Sequence, residues 1–267
     1  MKIMMGKLAL IISLCVATLY VVAQEKPMKV FVLSGQSNMY GMGDAEELPN
    51  DLNGEQSGVL SFESVPSGKA WIPLARSKIV YKAGGIGPEL SFAKEIRAKI
   101  NEPIGIIKYA KSGSNLAKNW NPDDPKSDYA NLVRIVNAAQ KSRNIEIVGM
   151  LWMQGESDAM DKEMANAYAA NLSQFIQRAR KDFNSPKMFF VAGRQTERTP
   201  FTDIVGRAQE KCNLPGYAFI NCDKLSKKKD NTHYDMKGLV KMGCLFADAM
   251  LKLMGGKDNK INHAPKE

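Results

Sequence analysis

The chain has 267 residues and a formal net charge of +9, from 37 Lys and Arg against 28 Asp and Glu. That length suits one large domain with a proper core. The positive charge comes with no basic helix and no recognisable nucleic-acid motif, which argues against a nucleic-acid partner.

The first 23 residues have the pattern of a secretory leader. Lys2 and Lys7 form a short basic region, residues 8–22 are almost wholly apolar, and Val21, Val22 and Ala23 place small residues at a cleavage site. The run is too short and wrongly flanked for a membrane span. Leu14 precedes Cys15 where a lipoprotein needs a small residue. The expectation is a signal peptide over 1–23, a catalytic or binding domain over 24–254, and a polar tail over 255–267. Cleavage removes Lys2 and Lys7, so the exported chain, periplasmic or secreted, keeps a charge of +7 of the original +9. No stable membrane insertion is expected after cleavage.

Along the domain, short β-rich runs alternate with helical patterns. Strands are predicted at residues 29–33, 104–109, 145–153, 188–192 and 217–220. Helices are predicted at 88–100, 129–140, 162–182 and 236–254, from apolar residues at helical spacing such as Tyr168, Leu172, Phe175 and Ala179. Residues 44–81 carry scattered Gly, Pro and Ser and read as an irregular loop. Strand and helix in alternation imply an α/β fold, a three-layer α/β/α sandwich on a five-stranded parallel sheet. Ligands in such sheets bind beyond the carboxyl ends of the strands.

Four polar clusters land at those ends. SGQSNM follows the first strand, AKSGSNLAKNW the second, WMQGESD the third and CDKLSKKKDNTHYD the fifth. The first holds Ser37, flanked by Gln36 and Asn38. A serine hydroxyl needs an adjacent base to act as a nucleophile, and histidine suits that task near neutral pH. The chain has two histidines, and His263 falls in the tail, so His233 is the candidate. Asp230, three residues earlier, can orient the imidazole and stabilise its protonated form. Candidate donors to an oxyanion are the backbone N–H groups of Ser37 and Gly113 and the amide of Gln154.

Three cysteines remain after cleavage. Cys212 and Cys222 are the best-placed pair for a disulfide in an oxidising compartment, and three buried thiols fit equally well. With no CxxC spacing and two histidines, a structural zinc site is not expected.

GQSNM, GPE at residues 87–89, QGESD at 154–158 and the D-x-x-H of Asp230 and His233 resemble the SGNH hydrolases. Within them the chain resembles the branch of sialate O-acetylesterases and family-six carbohydrate esterases, the acetylxylan esterases. The resemblance implies a flavodoxin-like fold, Ser37 as nucleophile, His233 as base, Asp230 as its acid, and Ser37, Gly113 and Gln154 around the oxyanion. It also implies shaping roles for Gln36, Asn38, Glu156 and Glu89, with Glu156 accepting backbone N–H bonds from the serine turn. KSGSN departs from the double glycine and threonine often found in this branch.

The expected activity is removal of O-acetyl groups from carbohydrate, of acetylxylan type, with sialate O-acetyl esters as the alternative and no metal or cofactor. A non-catalytic carbohydrate-binding protein is the alternative of another class. A nucleotide-binding flavodoxin-like protein is disfavoured, since no G-x-x-x-x-G-K-[ST] loop exists. Trp120 is a candidate sugar-stacking platform and Arg194 a candidate substrate contact. The lysines between Lys224 and Lys229 either face solvent or attract an acidic glycan.

Overall fold

A computed structural model describes residues 26–65, 67–76 and 86–255. The leader, His263 and all of the tail but Gly255 lie outside them, as does Tyr81. Seven strands form one sheet: β1 (Met28–Gly35), β2 (Glu55–Val65), β3 (Gly68–Ala75), β4 (Ile104–Ala110), β5 (Ile145–Met153), β6 (Phe189–Gly193) and β7 (Tyr217–Ile220). Their order is β3-β2-β4-β1-β5-β6-β7, parallel except for the antiparallel β2–β3 pair. The helices are a single turn, α1 (Ser37–Tyr40), then α2 (Glu89–Lys99), α3 (Asp128–Ser142), α4 (Lys162–Asp182), α5 (Thr202–Glu210) and α6 (Met236–Met254).

The three layers follow from side-chain alternation. Phe31 and Leu33 of β1 face α2 and α6, with Leu90, Phe92, Met242 and Phe246. Val30 and Val32 face the opposite way, toward Leu132, Val136, Leu172 and Phe175 of α3 and α4. The two covered faces explain why β1, β4 and β5 read as almost continuous apolar runs. A bulge in β5 opposite Val30 and Phe31 inserts Val148, so that Ile147 and Met150, three residues apart, both face α3 and α4. Caps define the helix starts: Ser127, Asp161 and Asp235 each accept a backbone N–H from the first turn of α3, α4 and α6.

The sheet has two strands more than predicted, and residues 44–81 are not an irregular loop throughout. They contain the β2–β3 hairpin. Gly58 sits at φ +72 in β2, where the register shifts between Glu55 and Leu60, so the period of two is broken. Only Val59, Leu60 and Ser61 pair with β4, which leaves most of β2 without the apolar run of an interior strand. Helix α5 also escaped the helical pattern, being nine residues long with Gly206 inside it.

β1 is central, with β4 on one side and β5 on the other. After β1 the chain builds β2, β3 and β4 on one side and then crosses over to β5 on the other, and α/β sheets open a crevice at the carboxyl ends of strands where the order reverses in this way. The loops carrying Ser37, Gly113 and Gln154 all begin there. Among the described residues no helix is long and apolar enough to cross a membrane.

Cys212, Cys222 and Cys244 are free thiols. Cys222 packs with the α2–α6 core, whereas Cys212 packs against the core on the other side of the sheet. The sheet therefore separates the two cysteines suggested as a pair. Denatured without reductant, a chain of residues 24–267 should titrate as three thiols with a thiol reagent. A peptide linking Cys212 to Cys222 in a non-reducing digest would contradict this packing.

Candidate active site

The turn after β1 begins with a close approach. Gly35 has φ +144, and a Cβ there would lie 2.0 Å from the Met153 carbonyl oxygen. Gln36 N–H donates to that carbonyl at 2.9 Å, so the ends of β1 and β5 are laid side by side. The chain then enters α1, and Ser37 takes its first position. His233 Nε2 lies 3.1 Å from Ser37 Oγ, and His233 Nδ1 lies 2.8 Å from Asp230 Oδ2. The serine, histidine and aspartate expected from sequence are thus brought into one hydrogen-bonded chain. Asp230 Oδ1 accepts the backbone N–H groups of Thr232 and His233, both at 2.9 Å. Slight burial would raise the Asp230 pKa; these N–H groups and the imidazole outweigh it and bring it down to about 2.

Asn38 connects the serine turn to the histidine loop. Its Nδ2 donates to Glu156 Oε1 at 2.9 Å and to the Thr232 carbonyl at 3.2 Å, and its Oδ1 accepts Tyr234 N–H at 3.1 Å. One amide therefore grips the backbone on both sides of His233. Glu156 accepts this side chain and its own backbone N–H, not the backbone N–H groups of the serine turn. Its other oxygen, Oε2, is buried without a partner, and burial raises its pKa.

Gln36 braces the other side. Its Oε1 accepts from Gln154 Nε2 at 3.2 Å and Gly155 N–H at 3.3 Å. Gln154 departs from its expected role as a donor to the oxyanion. It is fully buried, and its Nε2 faces Gln36 Oε1, the Ser114 carbonyl and Asp158 Oδ2 at 3.2, 3.1 and 2.6 Å. Two amide hydrogens already meet three acceptors, so Gln154 joins loops together. Tyr168 and Gln209 complete this knot, with Gln209 Nε2 donating to the Gln154 carbonyl at 2.7 Å.

Asp158 anchors the loop after β4. It is buried, and accepts Leu116 N–H at 2.8 Å and Ala117 N–H at 3.2 Å. Burial raises its pKa while these bonds lower it, leaving a net rise. Upstream, Lys111 N–H bonds the Gly35 carbonyl at 3.0 Å, so the loop starts beside the serine turn. Gly113 takes the left-handed conformation at φ +69, and a Cβ there would meet no atom within 4 Å. Among the described residues, neither Ser37 N–H nor Gly113 N–H donates to a protein acceptor.

Below the serine turn lies a buried ion pair. Lys108 Nζ of β4 meets Glu89 Oε2 at 2.6 Å, both side chains 2% exposed, and Glu89 Oε1 accepts Gly87 N–H at 3.1 Å. Glu89 thus shapes the segment that packs under α1.

Two residues expected to meet substrate are engaged by protein groups. Trp120 is fully buried, edge-on to Trp152 at 5.2 Å, with its Nε1 donating to Ser114 Oγ. It supports the Gly113 loop from within the core and offers no face to a sugar. Arg194 reaches toward Asp223 at 3.5 Å and lies against Gly206 of α5. Nothing in the sequence pattern points to Thr196 and Glu197 after β6. Tyr234 OH pairs with Thr196 Oγ1, and Thr232 Oγ1 donates to Glu197, both at 2.6 Å. Their partners lie one residue either side of His233, a relation that only the pairing of distant loops creates.

A mostly parallel α/β sandwich with serine, histidine and aspartate at its switch point has the architecture of the SGNH-type esterases. The chain belongs to the carbohydrate esterase, sialic acid-specific acetylesterase family, whose model matches residues 27–252. A probable carbohydrate esterase of Arabidopsis thaliana is 28% identical over 242 residues, 84% of this chain and 91% of that protein. Its crystal structure aligns at a TM-score of 0.75 over 85% of this chain and 99% of the other, with 26% identity. NanS aligns at 0.69 with 18% identity, over 86% and 98% of the two chains. A carbohydrate acetylesterase from Xanthomonas citri aligns at 0.64 with 17% identity, over 85% of this chain and 56% of that one. The last two likenesses speak to the fold alone.

The Asp230 geometry gives a pH signature. A folded pKa below the ordinary aspartate value of 3.8 means its stabilising contribution is fully present above that pH and lost as pH falls through about 2. Carbon NMR of the Asp230 carboxyl should show a midpoint near 2. A midpoint near 3.8 would mean the bonds to Thr232 and His233 do not hold in solution.

Proposed function

We propose that this protein is an exported serine esterase that removes O-acetyl groups from carbohydrate through an acetyl-enzyme. The observation carrying this reading is the chain from Ser37 Oγ through the His233 ring to Asp230, at 3.1 and 2.8 Å. Family membership supports an acetylated carbohydrate as substrate.

In this reading Ser37 Oγ attacks the acetyl carbonyl carbon and His233 Nε2 takes its proton. Asp230 holds the Nδ1 proton and stabilises the imidazolium. The backbone N–H groups of Ser37 and Gly113 receive the oxyanion; losing one such donor typically costs on the order of a hundred- to a thousandfold in rate. Collapse breaks the bond to the sugar oxygen, which takes the proton from Nε2. Water then gives a proton to Nε2 and attacks the acetyl-serine carbonyl, and acetate leaves as the proton returns to Ser37 Oγ. No step calls for a metal or an organic cofactor.

The substrate is a sugar ester of either acetylxylan or O-acetylated sialic acid, and the family description favours the second. Residues 1–23 act in this reading as a cleaved leader, giving a mature amino terminus at Gln24. Ser37→Ala and His233→Ala should each lower acetate release on the order of 10⁴-fold, with His263→Ala close to the parent. Acetate release from acetylated xylan and from O-acetylated sialic acid, compared at equal enzyme, separates the two sugars. Folded protein without turnover on either ester or on p-nitrophenyl acetate would be a binding protein, not an esterase.

A further inference from the structure

We propose that Lys227 is a positioning residue for His233, clamping the histidine loop to the loop after β6. In sequence Lys224, Lys227, Lys228 and Lys229 form one basic run. The fold separates them. Lys224 and Lys229 are exposed, whereas Lys227 turns inward. Its Nζ donates to the Thr196 carbonyl and to the Asn231 carbonyl, both at 3.0 Å, and lies 5.4 Å from the Tyr234 ring centroid. Two carbonyls and an aromatic face take up the ammonium's donor capacity.

Both carbonyls matter for the histidine. Asn231 precedes His233 by two residues and holds a left-handed conformation at φ +57. The turn it closes is drawn tight by Asn231 N–H on the Lys228 carbonyl at 3.0 Å and Lys228 N–H on the His233 carbonyl at 2.8 Å. Lys227 itself bridges Tyr234 across this turn. Thr196 belongs to the neighbouring loop, whose side chains already hold Thr232 and Tyr234. The ammonium is thus the charged member of a three-point seam between the loops, and Asn38 holds the opposite side of the same backbone.

Burial holds the Lys227 pKa below the usual lysine value, and the carboxylates of Glu156, Glu197 and Asp223 offset part of that shift. Removing the ammonium would leave two carbonyls short of a donor and these carboxylates uncompensated behind the imidazole. A shift of about 1 Å in a catalytic group can cost on the order of a hundredfold in rate.

The inference rests on the esterase reading, in which His233 is the base. The test compares Lys227→Met, Lys227→Arg and the charge-loss control Lys187→Met, on an exposed lysine of the loop before β6. Readouts are kcat, KM and the downfield proton resonance of the His233 Nδ1–H bonded to Asp230. Lys227→Met should lower kcat about 10- to 100-fold, leave KM within about twofold, and broaden or abolish that resonance. Lys227→Arg should recover much of kcat, and Lys187→Met should match the parent. Should Lys227→Met fail to fold, Lys227→Gln keeps two donor hydrogens on a shorter neutral stem and should show a smaller loss of the same kind. An unchanged kcat in the folded variant, or a rise in KM alone, would overturn the proposal; the second would make Lys227 a substrate contact. Failure of the esterase reading itself shows separately, as a Ser37→Ala chain with undiminished turnover.

Discussion

The Asn38 side-chain amide is the contact on which the site depends. The serine turn and the histidine loop are 196 residues apart in sequence, yet a proton transfer between them needs a separation held to a fraction of an ångström. Packing of strands brings the loops near each other; it does not set that distance. Asn38 does, because its single planar group donates to Thr232 and Glu156 and accepts from Tyr234. An amide can donate two hydrogen bonds and accept another from one planar group without carrying charge. Aspartate there would set a carboxylate against Glu156, and leucine would leave the bonded backbone groups without partners.

Around that contact the protein buries an unusual amount of polarity. Gln36, Asn38, Gln154, Glu156, Asp158, Glu89 and Lys108 are all buried. A buried charge is costly unless paired and hydrogen-bonded. Lys108 and Glu89 meet that condition with each other and with Gly87, and Asp158 meets it with Leu116, Ala117 and Gln154. Such a network, once satisfied, admits few alternative arrangements, so loops are held nearly as firmly as strands. That firmness lets the Ser37 and Gly113 N–H groups stay without protein acceptors; under the esterase proposal they would receive charge without reorganising.

Much of this was legible in the sequence, for identifiable reasons. Five strands were visible because they are buried on both faces, which writes a continuous apolar run. The β2–β3 hairpin was hidden because β2 is bulged at Gly58 and shares few residues with the sheet interior. Ser37, Asp230 and His233 could be singled out because histidine is so scarce. Asp230 and His233 are also close enough in sequence to meet within one turn. Trp120 and Gln154 were misplaced for a common reason. Gln154 follows the end of β5 and Trp120 lies in the loop after β4, and whether such a side chain turns outward or inward depends on partners such as Ser114 and Asp158, which sequence does not align with it. Lys227 was concealed by its neighbours: four lysines in six residues look alike until the backbone turn selects one to face inward.

The central claim is that Ser37 is the reacting group and that His233 activates it. A fluorophosphonate tests this directly, because it reacts with an activated serine and the bond it forms survives digestion. Mass spectrometry of the labelled protein should place one phosphonyl group on Ser37 in step with loss of acetate release, and the His233→Ala chain should resist labelling. Loss of activity with Ser37 unmodified, or full activity with Ser37 labelled, would contradict the account.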